Sequence, residues 1–173
     1  YAADDSEGLD EDLLEMIDIG GQWLDGFQLN LRWPDPSKLT VLRGTRTVLQ
    51  LGQQALAQLD SNPEYVSKAL DIYVVDQLIT DVLIDASGGR GIPIDPHTAE
   101  RYIQAIKARH PELSIGIAGG LSASSVDRVY ELCQRYPWLN VNAEGQLRTP
   151  EDNLSIDKMR SYILAANSLF FRR

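Results

Sequence analysis

The stretch of sequence that decides the fold class is DVLIDASGGRGIPIDP, residues 81–96. Its first part, DVLID at residues 81–85, is a short apolar run that predicts a buried strand, and the glycines after it predict a loop. Asp95 and Pro96 then match an N-cap followed by proline in the first turn of a helix. Apolar residues continue at helical spacing, at Ala99, Tyr102, Ile103 and Ile106. Strand, glycine-rich loop and capped helix form one βα unit of a parallel sheet.

The same unit recurs on both sides of this stretch. Toward the C-terminus, strands are predicted at residues 114–118 (SIGIA) and from residue 139, and Ser122 is predicted to cap the helix between them. Toward the N-terminus, the predicted elements are a helix at residues 10–19, strands at residues 26–31 and 47–51, and a helix beginning at Asn62-Pro63. The prediction is an α/β protein with a parallel sheet, and the pattern alone leaves open whether the sheet is doubly wound or belongs to a barrel.

Composition and charge narrow the class of partner. The chain has 173 residues, which we interpret as one domain over residues 1–173, whereas a closed (β/α)8 barrel takes about 250 residues. The net charge of -9 disfavours nucleic acid and anionic membranes as partners, but a small phosphate stays possible because backbone N–H groups can bind it. No apolar run approaches the roughly 20 residues of a membrane span. Cys133 is the only cysteine and there is no Cys/His cluster, so we expect a cytoplasmic protein without a metal or cofactor.

Asp85 ends the strand predicted at residues 81–85 and is the candidate catalytic residue. A carboxyl group at this end of a buried parallel strand can act as a general acid or base toward a ligand. It can also cap its own loop by accepting hydrogen bonds from backbone N–H groups. Gly88 and Gly89 in the following loop permit close approach of a ligand, so they are candidate ligand-binding residues.

The loop after the next strand is a candidate phosphate site. Gly119, Gly120 and Leu121 follow SIGIA, and their backbone N–H groups can converge on an anion at the start of a helix. The alternative is a tight turn that needs glycine only for its backbone geometry.

The loop after the last strand can complete that site. It contains the candidate phosphate-binding residues Asn142, Ala143 and Gly145. Barrel enzymes often bind phosphate with the loops after strands seven and eight. This segment follows the glycine loop by one βα unit, which is why it is a candidate.

Three polar residues alternate along the strand predicted at residues 26–31 and just beyond it. Gln28 and Asn30 share one face, so both are possible ligand contacts inside a barrel. Arg32 has the same parity and could reach an anionic ligand, although a plain surface arginine would fit the sequence as well.

Several of these segments resemble motifs of phosphoribosylanthranilate isomerase, a family of (β/α)8 barrels in the ribulose-phosphate-binding superfamily. DASGGRGIPID, residues 85–95, is similar to the family's loop after strand six, which typically has Asp-x-x-Gly-Gly-Thr-Gly. IGIAGGLSASSV, residues 115–126, is similar to its strand-seven phosphate motif. VNAEG at residues 141–145 and DGFQLN at residues 25–30 resemble its strands eight and four, which makes TVLQL at residues 47–51 strand five.

The resemblance implies the C-terminal part of a TIM-type barrel, about strands four to eight, with a small phosphorylated sugar as ligand. It also implies that Asp85 occupies the position of the family's general acid. In that family the reaction is an Amadori rearrangement in tryptophan biosynthesis, an aldose–ketose isomerisation. An acid opens the ribose ring, and a base removes a proton from the second carbon of the sugar. An enzyme of this kind is an intramolecular oxidoreductase.

The sequence departs from the family pattern at residues that matter for this reaction. The family's base is a cysteine at the end of strand one, but no segment here matches that strand, and Cys133 lies elsewhere. Asn30 stands where the family usually has histidine, Arg90 replaces threonine, and Glu144 adds a carboxylate near the phosphate motif. Two alternatives to the isomerase therefore stay open: a sugar-phosphate enzyme with different chemistry, and a non-catalytic barrel that binds a phosphate ligand.

Five parallel strands that do not close into a barrel would leave two open edges, and open edges favour pairing with further strands. We therefore expect the chain to associate through these edges, or to cover them with its own N-terminal segment.

Overall fold

A computed structural model describes residues 6–85 and 95–171 of the chain. These residues form an α/β protein with a five-stranded parallel sheet. The strands are β1 (Gly26–Leu29), β2 (Arg46–Gly52), β3 (Asp81–Asp85), β4 (Ser114–Ile117) and β5 (Asn140–Val141). All five were predicted from the sequence, and the bounds of β3 are those predicted.

The strands lie in the sheet in their order along the chain, β1-β2-β3-β4-β5. A doubly wound sheet reverses direction at a switch point, whereas neighbouring strands in the wall of a barrel keep one direction. The observed order confirms the parallel α/β class and favours the barrel-type winding over the doubly wound alternative. Within the described residues, β1 and β5 are the two ends of the sheet. The association predicted at these ends stays a prediction.

Helices follow the strands and pack on one face of the sheet. The α-helices of the described residues are α1 (Leu9–Gly20), α2 (Gln53–Ala57), α3 (Pro63–Ala69), α4 (Asp71–Val75), α5 (Pro96–Arg109), α6 (Tyr130–Arg135) and α7 (Ile156–Phe171). Both helix starts predicted from proline are confirmed: Asn62 accepts a hydrogen bond from the N–H of Glu64, and Asp95 accepts one from the N–H of Thr98. None of the helices described here combines the length and apolar character that crossing a membrane requires.

The hydrophobic core lies between these helices and one face of the sheet. Successive side chains of a strand point to opposite faces. On the helix-covered face the central strands present fully buried side chains, such as Leu49, Leu51 and Ile84. They belong to one apolar cluster with helix residues such as Leu13 and Ile103. Full burial of one such side chain stabilises the fold by roughly 1.5–3 kcal/mol, which keeps these residues on the helix-covered face. Because side chains alternate along a strand, their neighbours in sequence must then lie on the opposite face.

The predicted helix start at Ser122 is wrong. A short 3-10 helix, Val126–Val129, follows the loop, and the α-helix begins only at Tyr130. The Ser122 hydroxyl instead lies 3.0 Å from the Oγ atoms of Ser124 and Ser125. Hydroxyl groups that bond within a turn compete with a helical start, which explains the delay.

The burial of two further residues depends on tertiary contacts. His110 is buried, with Nε2 2.9 Å from the carbonyl oxygen of Ser67 and 3.2 Å from the Asp71 carboxylate. Local sequence does not show this contact because Ser67 precedes His110 by 43 residues. Ile163 is 53% exposed, because α7 buries Tyr162, Ala166 and Leu169.

Candidate functional site

The face of the sheet that lies opposite the helices is polar. Residues that pair side by side in neighbouring parallel strands point to the same face. Val48 pairs with both Gln28 and Asp81, Gln50 pairs with Leu83, and Gly52 pairs with Asp85. We call this surface the polar face, and its polar side chains are Gln28, Arg46, Gln50, Asp81, Asp85, Ser114 and Asn140. Gln28 and Asp85 therefore lie on the same face of the sheet.

A row of hydrogen bonds crosses three strands of the polar face. Gln28 Nε2 donates to Gln50 Oε1 at 2.9 Å, and Gln50 Nε2 donates to Asp85 Oδ2 at 3.0 Å. Each hydrogen bond joins a residue to one on the next strand that lies closer to the carboxyl end. The row therefore runs diagonally across the sheet toward the carboxyl ends of the strands. We call Gln28, Gln50 and Asp85 the amide row. Asp85 is only 6% exposed, so its carboxylate is oriented by these neighbours rather than by solvent.

Asn30 lies at the same edge of the sheet as Asp85. A methyl group built on Gly52 would be 3.8 Å from Asn30 Oδ1, and Gly52 pairs with Asp85 in the sheet. The two sequence candidates therefore meet at the carboxyl edge, by which we mean the edge where the parallel strands end. Arg32 is exposed in the bend that follows β1.

The opposite edge of the polar face has a charged pair. Arg46 Nη2 donates to Asp81 Oδ1 at 2.9 Å, Arg46 Nε donates to Asp81 Oδ2 at 3.2 Å, and the Thr80 hydroxyl donates to Oδ2 at 2.6 Å. Burial acts to raise the pKa of Asp81, but these hydrogen bonds outweigh burial, so its pKa lies below the usual value. This arrangement stabilises an ionised carboxylate where β2 and β3 begin.

The loop after β4 contains two glycines with positive φ. Gly119 has φ of 125° and Gly120 has φ of 57°, values that L-residues with side chains rarely adopt. Ala118 N–H donates to the Ile84 carbonyl at 2.9 Å, so the turn begins beside the residue that precedes Asp85. Within the described residues, the N–H groups of Gly119, Gly120 and Leu121 donate to no acceptor. We call these residues the glycine turn.

The glycine turn is closed by serine side chains. Ser125 Oγ donates to the Gly120 carbonyl at 2.9 Å and accepts a hydrogen bond from the Ser122 N–H at 2.9 Å. The Gly120 carbonyl oxygen therefore has a partner within the loop, whereas the N–H groups of Gly119, Gly120 and Leu121 have no acceptor among the described residues. Because α6 begins only at Tyr130, the glycine turn does not lie at the start of an α-helix.

The loop after β5 lies next to the glycine turn. Asn142 N–H donates to the Ile117 carbonyl at 2.9 Å, which places Asn142 beside the end of β4. Ala143 is half-buried, and Gly145 begins a short 3-10 helix, Gly145–Leu147. Glu144, an unfavourable neighbour for a phosphate, accepts a hydrogen bond from Arg148 Nη2 at 2.9 Å. Arg148 thereby offsets the charge that the sequence placed near the phosphate motif.

Gly88 and Gly89 lie outside the described residues, as does Arg90. Their assignment as ligand-binding residues, or as a departure from the family motif, stays a prediction.

Gln50 is the site residue that sequence reasoning missed. It was treated only as part of a strand, although the same alternation that selected Gln28 and Asn30 applies to it. A glutamine between Leu49 and Leu51 in an apolar strand is the signal that could have revealed it, because its side chain must point away from the core.

The cysteine is not part of this site. Cys133 is buried in α6, and burial raises the pKa of its thiol to about 11, so it is a protonated thiol at neutral pH. Across residues 6–85 and 95–171, no group of three or more His, Cys, Asp or Glu side chains is arranged to hold a metal ion.

The fold and this edge define a class: a parallel α/β protein with a polar site where consecutive strands end. A comparison with models of protein families finds no match, and a comparison with curated proteins finds none either. The resemblance to phosphoribosylanthranilate isomerase therefore rests on the quoted motifs, and a function has to be argued from the geometry of the site.

Proposed function

We propose that the protein binds the phosphate group of a small phosphorylated sugar at the carboxyl edge of its sheet. The observation that supports this most directly is the glycine turn. Its three successive N–H groups have no acceptor among the described residues and follow a buried strand. Successive backbone N–H groups in such turns form concavities that bind anions, and they do so without basic side chains. An anion site of this kind is compatible with a net charge of -9.

The second loop supports a phosphate more than a larger anion. Asn142 adds a side-chain amide beside the end of β4, with no described partner for its own nitrogen or oxygen. Ala143 and Gly145 leave the loop without bulk. The proposed phosphate therefore contacts Gly119, Gly120, Leu121, Asn142, Ala143 and Gly145.

Asp85 is the proposed acid if the protein is an enzyme. It is buried on the strand next to the glycine turn, and in the resembling family an acid at this position opens the sugar ring. An isomerase that acts on phosphoribosylanthranilate also needs a base. The phosphate site is therefore proposed independently of the reaction, and a different sugar-phosphate chemistry or ligand binding alone would use the same turn.

The test is a calorimetric titration of the protein with inorganic phosphate and with ribose 5-phosphate. Gly119→Asp places a carboxylate in the glycine turn, so we expect it to weaken both ligands at least about tenfold, which corresponds to about 1.4 kcal/mol. The matched control is Gly44→Asp. Gly44 also has positive φ, of 82°, and precedes β2 at the opposite edge of the sheet.

The control separates backbone strain from loss of the site. Both variants place the same side chain at a strained glycine, and circular dichroism shows whether each is folded. Weaker binding in Gly119→Asp with normal binding in Gly44→Asp supports the phosphate site. Absence of binding by the unchanged protein, or equal loss in both variants, would refute it.

A further inference from the structure

We infer that the amide row recognises hydroxyl groups, and that Gln50 makes the site select a neutral polyol, rather than a carboxylate-bearing group, next to the phosphate. The inference rests on the proposed phosphate site and adds the chemical class of the ligand's other half. It assigns a specificity role to Gln50, which lies on β2 between the other two members of the row.

The orientation of Gln50 follows from its neighbours. A carboxylate can only accept hydrogen bonds, so Asp85 requires the NH2 side of the Gln50 amide, as observed at 3.0 Å. The amide oxygen then points to Gln28, whose Nε2 donates to it at 2.9 Å. One buried carboxylate therefore sets the direction of the whole row.

Gln50 retains hydrogen-bonding capacity after these two contacts. A primary amide has two N–H donors and two acceptor lone pairs. Within the described residues Gln50 uses one of each, and its side chain is half-buried on the polar face. The remaining N–H and lone pair are therefore offered to a partner on the polar face.

A hydroxyl group can bond to both the remaining N–H and the remaining lone pair of Gln50, whereas a carboxylate cannot. A hydroxyl donates and accepts, so it can bond to the remaining N–H and lone pair of an amide and also donate to a neighbouring carboxylate. A ligand carboxylate has no proton to donate, and it would lie beside Asp85, where two like charges repel. The chemistry of the row thus favours vicinal hydroxyls.

The row and the glycine turn are close enough for one ligand. Ala118 N–H bonds to the carbonyl of Ile84, the residue before Asp85, so the turn starts beside the end of β3. Gln50 is level with Gly116 in the register, three residues before Gly119, but its Nε2 lies 3.0 Å from Asp85 Oδ2, and the strand that contains Asp85 is roughly 5 Å from β4. A phosphorylated pentose or hexose can cover this distance with its phosphate at the turn and its hydroxyls at the row.

The experiment compares three ligands by calorimetry: inorganic phosphate, ribitol 5-phosphate and ribonate 5-phosphate. The last two differ only at one terminal carbon, which bears a hydroxyl in ribitol and a carboxylate in ribonate. We expect the protein to bind ribitol 5-phosphate about tenfold more tightly than either of the others, since one or two net hydrogen bonds correspond to about that factor. In Gln50→Leu, ribitol 5-phosphate should fall to within about threefold of inorganic phosphate, whose own affinity should not change.

The control variant is Gln58→Leu, the same substitution at an exposed glutamine after α2. It should keep the preference for ribitol 5-phosphate. If inorganic phosphate binds but ribitol 5-phosphate gains nothing, or if Gln50→Leu keeps the preference, the role of the amide row is refuted while the phosphate site stands. If inorganic phosphate does not bind, the phosphate site itself is refuted, and this inference with it.

Discussion

Asp81 and Asp85 lie on the same face of the same strand, one at each end of β3, and both are buried. Asp81 is held by a guanidinium and a hydroxyl, from Arg46 and Thr80. Asp85 receives the neutral amide of Gln50, which belongs to a row that still has capacity for another partner. The same residue type in the same strand is thus surrounded by different chemistry at the two edges of the sheet.

We interpret the difference as a division along one strand between a role in stability and the proposed function. In parallel barrels the carboxyl edge is where ligands bind, and the amino edge contributes to stability. A carboxylate that is matched by a cation fits the second role, because its charge is already compensated. A carboxylate at the carboxyl edge that accepts a hydrogen bond from a neutral amide fits the first. The following predictions test this contrast, from the largest expected effect to the smallest.

Removal of the carboxylate at the amino edge should have the largest effect on stability. We expect Asp81→Ala to lower the free energy of unfolding by about 2 kcal/mol, because it removes the charge-assisted hydrogen bonds from Arg46 and Thr80. Urea unfolding measures this as a lower midpoint with an unchanged slope. Asp25→Ala, at an exposed position just before β1, is the control and should change little. Equal effects of the two substitutions would break the comparison.

The second prediction concerns the pH dependence of the stability that Arg46 and Asp81 contribute at the amino edge. The pKa of Asp81 lies below its unfolded value, because hydrogen bonds from Arg46 and Thr80 outweigh the effect of burial. Its contribution is therefore present above the unfolded pKa, near 3.8, and is lost as the pH falls through the folded pKa. Arg46→Met weakens this lowering, so the stability gap between the protein and the variant should shrink on acidification from pH 7 toward about pH 2.

Other carboxylates with lowered pKa are present in both proteins, so the gap isolates the pair formed by Arg46 and Asp81. They are Asp10, Asp35, Asp71, Asp95 and Glu100. Urea midpoints measured across the pH range give the gap directly. A gap that stays constant with pH would show that Arg46 acts on stability through packing and not through the charge of Asp81.

The carboxyl edge should show the opposite trend when a second carboxylate is added. Gln50→Glu puts a carboxyl group where Gln50 Nε2 now lies, 3.0 Å from Asp85 Oδ2. Two carboxylates at this distance repel, so one of them takes up a proton more readily in the folded state. The variant should be less stable than the protein at pH 7, by about 1 kcal/mol, and should recover as the pH falls. Gln50→Leu adds no charge, so it should lack this recovery.

Sequence reasoning located the carboxyl edge better than it located the contacts there. Strand bounds, the helix starts at Asn62 and Asp95, and the end of β3 at Asp85 follow from local patterns, because each depends on neighbouring residues. The bond between Gln50 and Asp85 joins residues 35 apart, and it depends on the register of β2 against β3. No local pattern contains that register, so the amide row appears only when the strands are paired.

The same limit applies to the helices. The start of α6 was misplaced because serine hydroxyls close the turn first, and in α7 packing against the core selects Tyr162 for the buried face. Helical periodicity allows more than one apolar stripe when apolar residues occur on several sides. Tertiary contacts then decide which stripe is buried.

The smallest effect is expected at the loop that follows β5, where stability and ligand binding should separate most clearly. Glu144 is exposed and pairs with Arg148, and an exposed pair of this kind contributes about 0.2–1 kcal/mol. Glu144→Gln should therefore change the free energy of unfolding by less than about 0.5 kcal/mol. It should nevertheless strengthen binding of inorganic phosphate about twofold to threefold at low salt, because a negative charge beside Gly145 is removed and Arg148 is released.

Salt and a matched variant make this last prediction specific. At about 1 M salt the Debye length is roughly 3 Å, so the gain in phosphate affinity should disappear if it arises from the charge of Glu144. Glu151→Gln removes an exposed carboxylate later in the same segment and should give a smaller gain. Equal gains from both substitutions would mean that phosphate responds only to the total charge of the protein, and the loop after β5 would then lose its place in the proposed site. A gain confined to Glu144→Gln would locate phosphate at the carboxyl edge, on the side of the sheet where Asp85 is held by an amide.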